Sequence, residues 1–392
     1  MEIFSRQKKE KKLVLVFDIG SSSVGGSLFE IEKSGIPKIL EVFREPIIFR
    51  EKVDIDQFLF LTIKSLEIVA SKLCLKGIGK PSQIFCILSS PWYVSSTRII
   101  KFEKNTPFLF TSKLAEDLIK KEIALFKEEH LAQFSHPENK IKLIEFKNIK
   151  IMLNGYETSN PLDKKIEKLE IIIFLSISGD LILKQIEKTI LKHFHVEENI
   201  KFFSFIMALF SITRDLFSHE DNFLLVDIGG EVTDISMVKK NALGSSVSFP
   251  LGRNFIIRKV ADNLHCTLSE AKSFISLYKD GHAVESTFKK IEPVMSRIKT
   301  EWLKEFEKSL INISDDFSIP STIFITIDPD LIDFFSKIIK NEQFSQYNLT
   351  DSGFKIIFLD SKIFHEIVTF KDGVNRDLFL TLESIFINRF IC

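Results

Sequence analysis

Twice along this chain an apolar run ends in Asp-Ile-Gly, passes a polar turn and resumes. Leu13 to Ile31 reads LVLVFDIGSSSVGGSLFEI, and Phe223 to Val238 reads FLLVDIGGEVTDISMV. Strand formers on both sides of a turn rich in Gly and Ser predict a β-hairpin in each place. Further strand patterns cover Ile39–Ile48, Ile84–Ser89, Leu169–Ser176, Ile323–Ile327 and Phe354–Leu359. Between them, apolar residues at three- and four-residue spacing predict helices from about Asp56 to Leu75, Lys113 to Phe126 with Thr111 as N-cap, and Leu181 to Phe194. Phe202–Phe217 is apolar throughout and of helical length. Later helices are expected over Phe255–Leu264, Ser269–Tyr278, Val284–Leu310, Leu331–Ile339 and Arg376–Phe390. The stripe Phe288, Ile291, Met295, Ile298, Trp302 and Phe306 makes Trp302 a core residue rather than a stacking platform.

The paired hairpins are the feature that points to chemistry. A Gly turn lets backbone N–H groups converge on an anion, and a carboxylate at each strand end, Asp18 and Asp227, suits a magnesium ion held between them. One Asp-Ile-Gly means no more than a strand and a tight turn. Two copies about half a chain apart are what a clamp on nucleotide phosphates requires.

Composition narrows the class. The 392 residues, 45% of them hydrophobic, suffice for two cores. Lys plus Arg and Asp plus Glu each total 53, so no global basic excess supports nucleic acid as a partner. Cys74, Cys86, Cys266 and Cys392 show neither metal-ligand spacing nor a disulfide framework and read as reduced core or terminal thiols of a cytosolic protein. No secretory segment opens the chain and no apolar run has the length of a membrane span. Eight scattered His support no Ser-His-Asp arrangement, and His193 and His195 fall at a predicted helix end.

With these stretches, the chain from Lys12 onward resembles the actin-like ATPase superfamily, and within it the branch of the cell-division protein FtsA and the type IV pilus protein PilM. LNGYETSNPL at Leu153–Leu162, the segment Phe249–Gly281, and the closing strand-helix-strand-helix order from Thr322 to Phe390 carry the likeness further. It implies an α/β, actin-like (ribonuclease H-like) two-domain fold with an FtsA/PilM-type inserted subdomain. The expected division is a polar leader at 1–12, a first domain at 13–93 and 179–217, the inserted subdomain at 94–178, a second domain with a reduced small subdomain at 218–360, and a closing segment at 361–392 that returns to the first domain. ATP and magnesium are the implied cofactors. The positions that match the family's nucleotide site are Asp18, Gly20, Ser21, Ser22 and Ser23 in the first turn, Asp227, Gly229, Gly230 and Thr233 in the second, and Glu270 on the adenosine side, with Asp18 and Asp227 facing the metal. Sugar kinases and Hsp70-type chaperones share the hairpins, but lack this inserted subdomain or need a further β-domain.

Several positions depart from the family pattern. Ser23 stands where a phosphate-binding Lys is usual, and Glu231 and Val232 replace Gly and Thr of the second turn. Ile275 replaces a Lys of the adenosine helix, and Thr326–Pro329 replaces a Gly-Gly turn. A carboxylate about 5 Å from a phosphate charge costs about 3 kcal/mol at an effective dielectric near 20, unless Glu231 turns outward or reaches a metal. The expectation is a degenerate site on a pseudo-ATPase with no catalytic residue. The first functional expectation is an FtsA-like cytoplasmic scaffold tying an FtsZ-like partner to the inner membrane in bacterial cell division. The alternative is a PilM-like pilus assembly protein holding a PilN-type peptide near Tyr93 and Ile99, and a further one is an active actin-like ATPase. Head-to-tail self-assembly is open. The helix at Arg376–Phe390 carries only Arg389 beside its apolar face, which points to core packing, so membrane contact is expected through the partner.

Overall fold

A computed structural model describes residues 12–32, 35–48, 50–51, 54–134, 140–196, 199–314, 319–341 and 354–391. All but Lys12 of the expected leader, and Cys392, lie outside the described residues. Three sheets organise the rest. Strands β1 (Leu13–Ile19), β2 (Ser23–Ile31), β3 (Pro37–Pro46), β4 (Gln83–Leu88), β9 (Lys201–Ser204) and β15 (Thr369–Phe370) form the first, in the order β15-β3-β2-β1-β4-β9. The second has the order β12-β11-β10-β13-β14, from β10 (Phe223–Ile228), β11 (Thr233–Lys239), β12 (Ala242–Phe249), β13 (Thr322–Ile327) and β14 (Lys355–Phe358). The two repeat one plan: an antiparallel meander of three strands, whose first strand then pairs in parallel with a strand reached by a helical crossover. Both central strands, LVLVFDI and FLLVDI, are buried almost throughout, as strands covered on both faces must be.

Helices close the faces. Helix α1 (Ile55–Leu75), α3 (Asp180–Leu191), α4 (Phe205–Leu216) and α9 (Leu378–Ile391) cover the first sheet; α5 (Arg253–Leu264), α6 (Leu268–Lys279), α7 (Glu285–Ile313) and α8 (Ile332–Asn341) cover the second. A four-stranded antiparallel sheet, β5-β8-β6-β7, and helix α2 (Ser112–Glu129) form a separate layer between β4 and α3 in the chain. Its strands are β5 (Val94–Leu109), β6 (Ile141–Leu153), β7 (Tyr156–Glu157) and β8 (Lys165–Gly179).

Most predicted elements appear within a few residues of their expected bounds, and Thr111 caps α2 by accepting from Leu114 N. Three expectations need correction. Phe202–Phe217 is not one helix: Lys201–Ser204 pairs in parallel with β4 before the chain turns into α4 at Phe205. Phe288 does not share the buried stripe of Trp302, which is 1% exposed; it is 44% exposed and stacks on Tyr278. Cys74 is exposed rather than in a core. Helix α9 is buried on nearly every side, including Thr381, Glu383 and Ser384, so the core packing expected for it is what the structure has.

Candidate nucleotide cleft and adjoining groove

The two hairpin turns meet. Gly20 N donates to Ser23 O at 3.2 Å and Gly229 N to Val232 O at 2.9 Å, so both turns close in the same way. Their backbones are in contact: a Cβ on Gly230 would lie 2.6 Å from Ser21 C and Ser22 N, so only glycine fits there. Ser21 Oγ accepts from Gly230 N at 2.9 Å and from Glu231 N at 3.1 Å. A serine hydroxyl of the first turn thereby takes the N–H groups that a phosphate would need in the second. The cleft lined by Gly20, Ser21, Ser22, Ser23, Gly229 and Gly230 holds about 30 Å³, room for about two water molecules and not for a triphosphate.

The strand-end carboxylates are also engaged. Asp18, paired across from Gly25, lies 2.8 Å from Arg44 Nη2. Arg44 reaches Asp377, just before α9, through Nε at 2.5 Å and Nη2 at 2.9 Å, and Ser23 Oγ through Nη1 at 2.8 Å. Burial pushes the Asp18 carboxyl up, with Arg44 pulling the other way; for Asp377 the same guanidinium outweighs burial and leaves the carboxyl below its ordinary value. Beside them Glu383 has no hydrogen-bond partner on either carboxyl oxygen, and burial, then Asp18, raises it well above its ordinary value. Asp227 accepts from Thr326 Oγ1 at 2.7 Å and is raised well above its ordinary value by burial and by Asp234. Among the described residues, no group of three or more His, Cys, Asp or Glu is placed to hold a metal ion.

Glu231 does not face this cleft. Its carboxylate turns to α5, accepts from Asn254 Nδ2 at 2.8 Å, and pairs with both terminal guanidinium nitrogens of Arg258, Nη1 and Nη2. Glu231 therefore does not repel a phosphate as its type suggests, because it turns outward and Arg258 supplies its counter-charge. Thr233 donates to Leu251 O at 2.8 Å and anchors β11 instead of lining the cleft. Glu270 is the reciprocal partner of Thr267 in the capping box of α6 and stays on its own helix. The turn at Thr326–Pro329 is tied down by Arg253, which binds Asp328 at 2.6 Å and Asp330 at 3.2 Å. Sequence reasoning missed Arg44, Asp377, Glu383, Asn254 and Arg258. The local signal was the polarity of Thr381, Glu383, Ser384 and Asn388 within a mostly apolar final helix.

Beside the cleft, and sharing Ser90, Val232 and Asp234 with it, opens a groove of about 540 Å³. Its walls come from β5, β11, β12 and the start of α1 and α4, with Tyr93, Val94 and Ile206 among its apolar residues. Tyr93, expected at a partner groove, lines it and is buried; Ile99 is exposed and lies outside its lining.

No protein-family model matches the chain, and no curated protein matches it. Among solved structures, it is similar to a chain of the PilM-PilN type IV pilus biogenesis complex, with a TM-score of 0.58 and 13% identity, covering 96% of this chain and 98% of that one. A Bacteroides thetaiotaomicron protein with an actin-like ATPase fold and unknown function matches at TM-score 0.39 and 10% identity, covering 97% of each chain. The ethanolamine utilization protein EutJ from Carboxydothermus hydrogenoformans matches at TM-score 0.43 and 10% identity, covering 96% of this chain and 90% of that one. At such identities likeness speaks to fold alone. With the repeated sheet plan and facing hairpins, it shows that this chain has the two-domain α/β fold of the actin-like superfamily.

Proposed function

We propose that this chain is a PilM-like scaffold, holding a peptide of a membrane-anchored, PilN-type partner in the groove between β5 and the second sheet. In this reading the four-stranded sheet is the FtsA/PilM-type inserted subdomain, and the nucleotide cleft is a closed relic that turns over no ATP. The observation that carries it is the pairing of a 540 Å³ groove with a 30 Å³ cleft: space for a ligand lies beside the hairpin turns and not between them. Ser21 and Arg44 support the same reading, because they take the hydrogen-bonding and charge roles of phosphate and metal. The similarity to a chain of a complex that also contains PilN favours this reading over the division role with an FtsZ-like partner.

The test is a photocrosslinking amino acid placed at Ser96 in the groove wall or at Lys308 on α7, with the full chain expressed in its native cells. Ser96 is expected to yield one covalent adduct with a membrane-anchored protein, and Lys308 none. Adducts from Lys308 alone, or none from Ser96, would refute the assignment.

A further inference from the structure

The groove has a chemistry that names part of its occupant. The inserted sheet ends on β5 and the second sheet ends on β12, so two edge strands face one another across it. Thr97 Oγ1 donates to Leu243 O at 2.8 Å and pins these edges at one point. The groove has Val94, Ser95 and Ser96 of β5 in one wall and Ser246, Val247 and Ser248 of β12 in the other. Edge strands present backbone donors and acceptors to any extended chain laid beside them.

At the junction of groove and cleft sits Asp234. It accepts from Ser90 Oγ at 3.0 Å and from Ser248 Oγ, two neutral donors. Among the described residues, no Lys, Arg or His lies within ion-pair distance of it, and His130 is the sole basic side chain in the groove lining. Its carboxylate is thus partly buried, half-solvated by hydroxyls and without a counter-charge, and burial raises its affinity for a proton. A cationic group arriving there would meet an acceptor already held in place by two hydroxyls, whereas an acidic or phosphorylated segment would be repelled.

We propose that the segment seated in this groove is an extended strand laid between β5 and β12 that places a lysine or arginine side chain on Asp234. This rests on the reading that the groove holds a peptide, and adds the mode and charge of binding. Asp234 acts as a specificity determinant: backbone pairing with the strand edges accepts many extended segments, and the carboxylate selects among them.

A synthetic library of ten-residue peptides, N-acetylated so that no terminal amine competes, is screened against the full chain and against Asp234→Asn, an isostere that both serines can still donate to. Peptides selected by the unmodified chain are expected to share a lysine or arginine at one position. Replacing that residue by Gln should weaken binding at least about tenfold to the unmodified chain, and less than about twofold to Asp234→Asn. Selected peptides that lose binding to the groove-filling Ser96→Trp, yet carry no shared basic residue or lose nothing when it is replaced, would overturn the cation and leave the peptide groove standing. Peptides that bind Ser96→Trp as well as the unmodified chain, or an empty selection, would overturn both.

Discussion

Ser21 illustrates how one side chain closes a site whose outline the sequence displays. The Asp-Ile-Gly turns were legible because their signal is local, a strand, a carboxylate and a Gly within a few residues. What fills the turns was not, because Ser21 acts on a residue 209 positions along the chain and Arg44 on one 333 positions along it. Ser21→Ala leaves Gly230 N and Glu231 N without their acceptor and should lower stability by about 1–3 kcal/mol, read as a lower urea midpoint at unchanged slope, while Ser21→Thr should stay near the unmodified value. Glu231 is the opposite lesson. Its type suggested repulsion of a phosphate, but its direction is set by Asn254 and Arg258 on α5. Glu231→Gln should strip a counter-charge from a mostly buried Arg258 and cost about 3 kcal/mol by urea unfolding, with no gain in magnesium-ATP binding by calorimetry.

At the scale of elements, long helices with a strong apolar period, such as α1 and α7, were readable, whereas the edge strands β9, β12 and β15 were not, although β14, also at an edge, was. β9 is a short apolar strand running without a break into apolar α4, so periodicity cannot part them. β6 hides for another reason: a buried charge, Glu145, interrupts its alternation. That glutamate joins the four-stranded sheet to the start of α4, accepting from Ser204 N at 3.3 Å and Ser204 Oγ at 2.7 Å. Burial outweighs these bonds and pushes its carboxyl up to about 7. A carboxyl raised on folding binds more protons in the native state, so its contribution favours the fold below its unfolded value and is lost as pH climbs through about 7. Between pH 5 and pH 8 the loss is about 2–3 kcal/mol. Glu145→Gln, which can still accept from Ser204, should remove that part of the slope in urea midpoints measured across this range. An unchanged slope would mean that Glu145 titrates as it does in the unfolded chain.

Two of the three sheets are copies of one plan closed on each other, and the doubling was visible in sequence because each copy repeats its hairpin. The closure was not, since it depends on backbone contact between Gly230 and Ser21. Magnesium-ATP titrated into the full chain should give no binding in the micromolar range by calorimetry, and no change in radius of gyration by X-ray scattering. Micromolar binding accompanied by an expansion would show that the turns part to admit a nucleotide. The return of α9 to the first sheet carries a further consequence, for how the chain emerges during synthesis. All strands of the second sheet lie between Phe223 and Phe358, whereas the first sheet needs strands from Leu13 to Phe370 and has one face covered by a helix ending at Ile391. On the ribosome the unit made later can therefore complete itself first, while β1 and β2 wait with an uncovered apolar face until α9 has emerged.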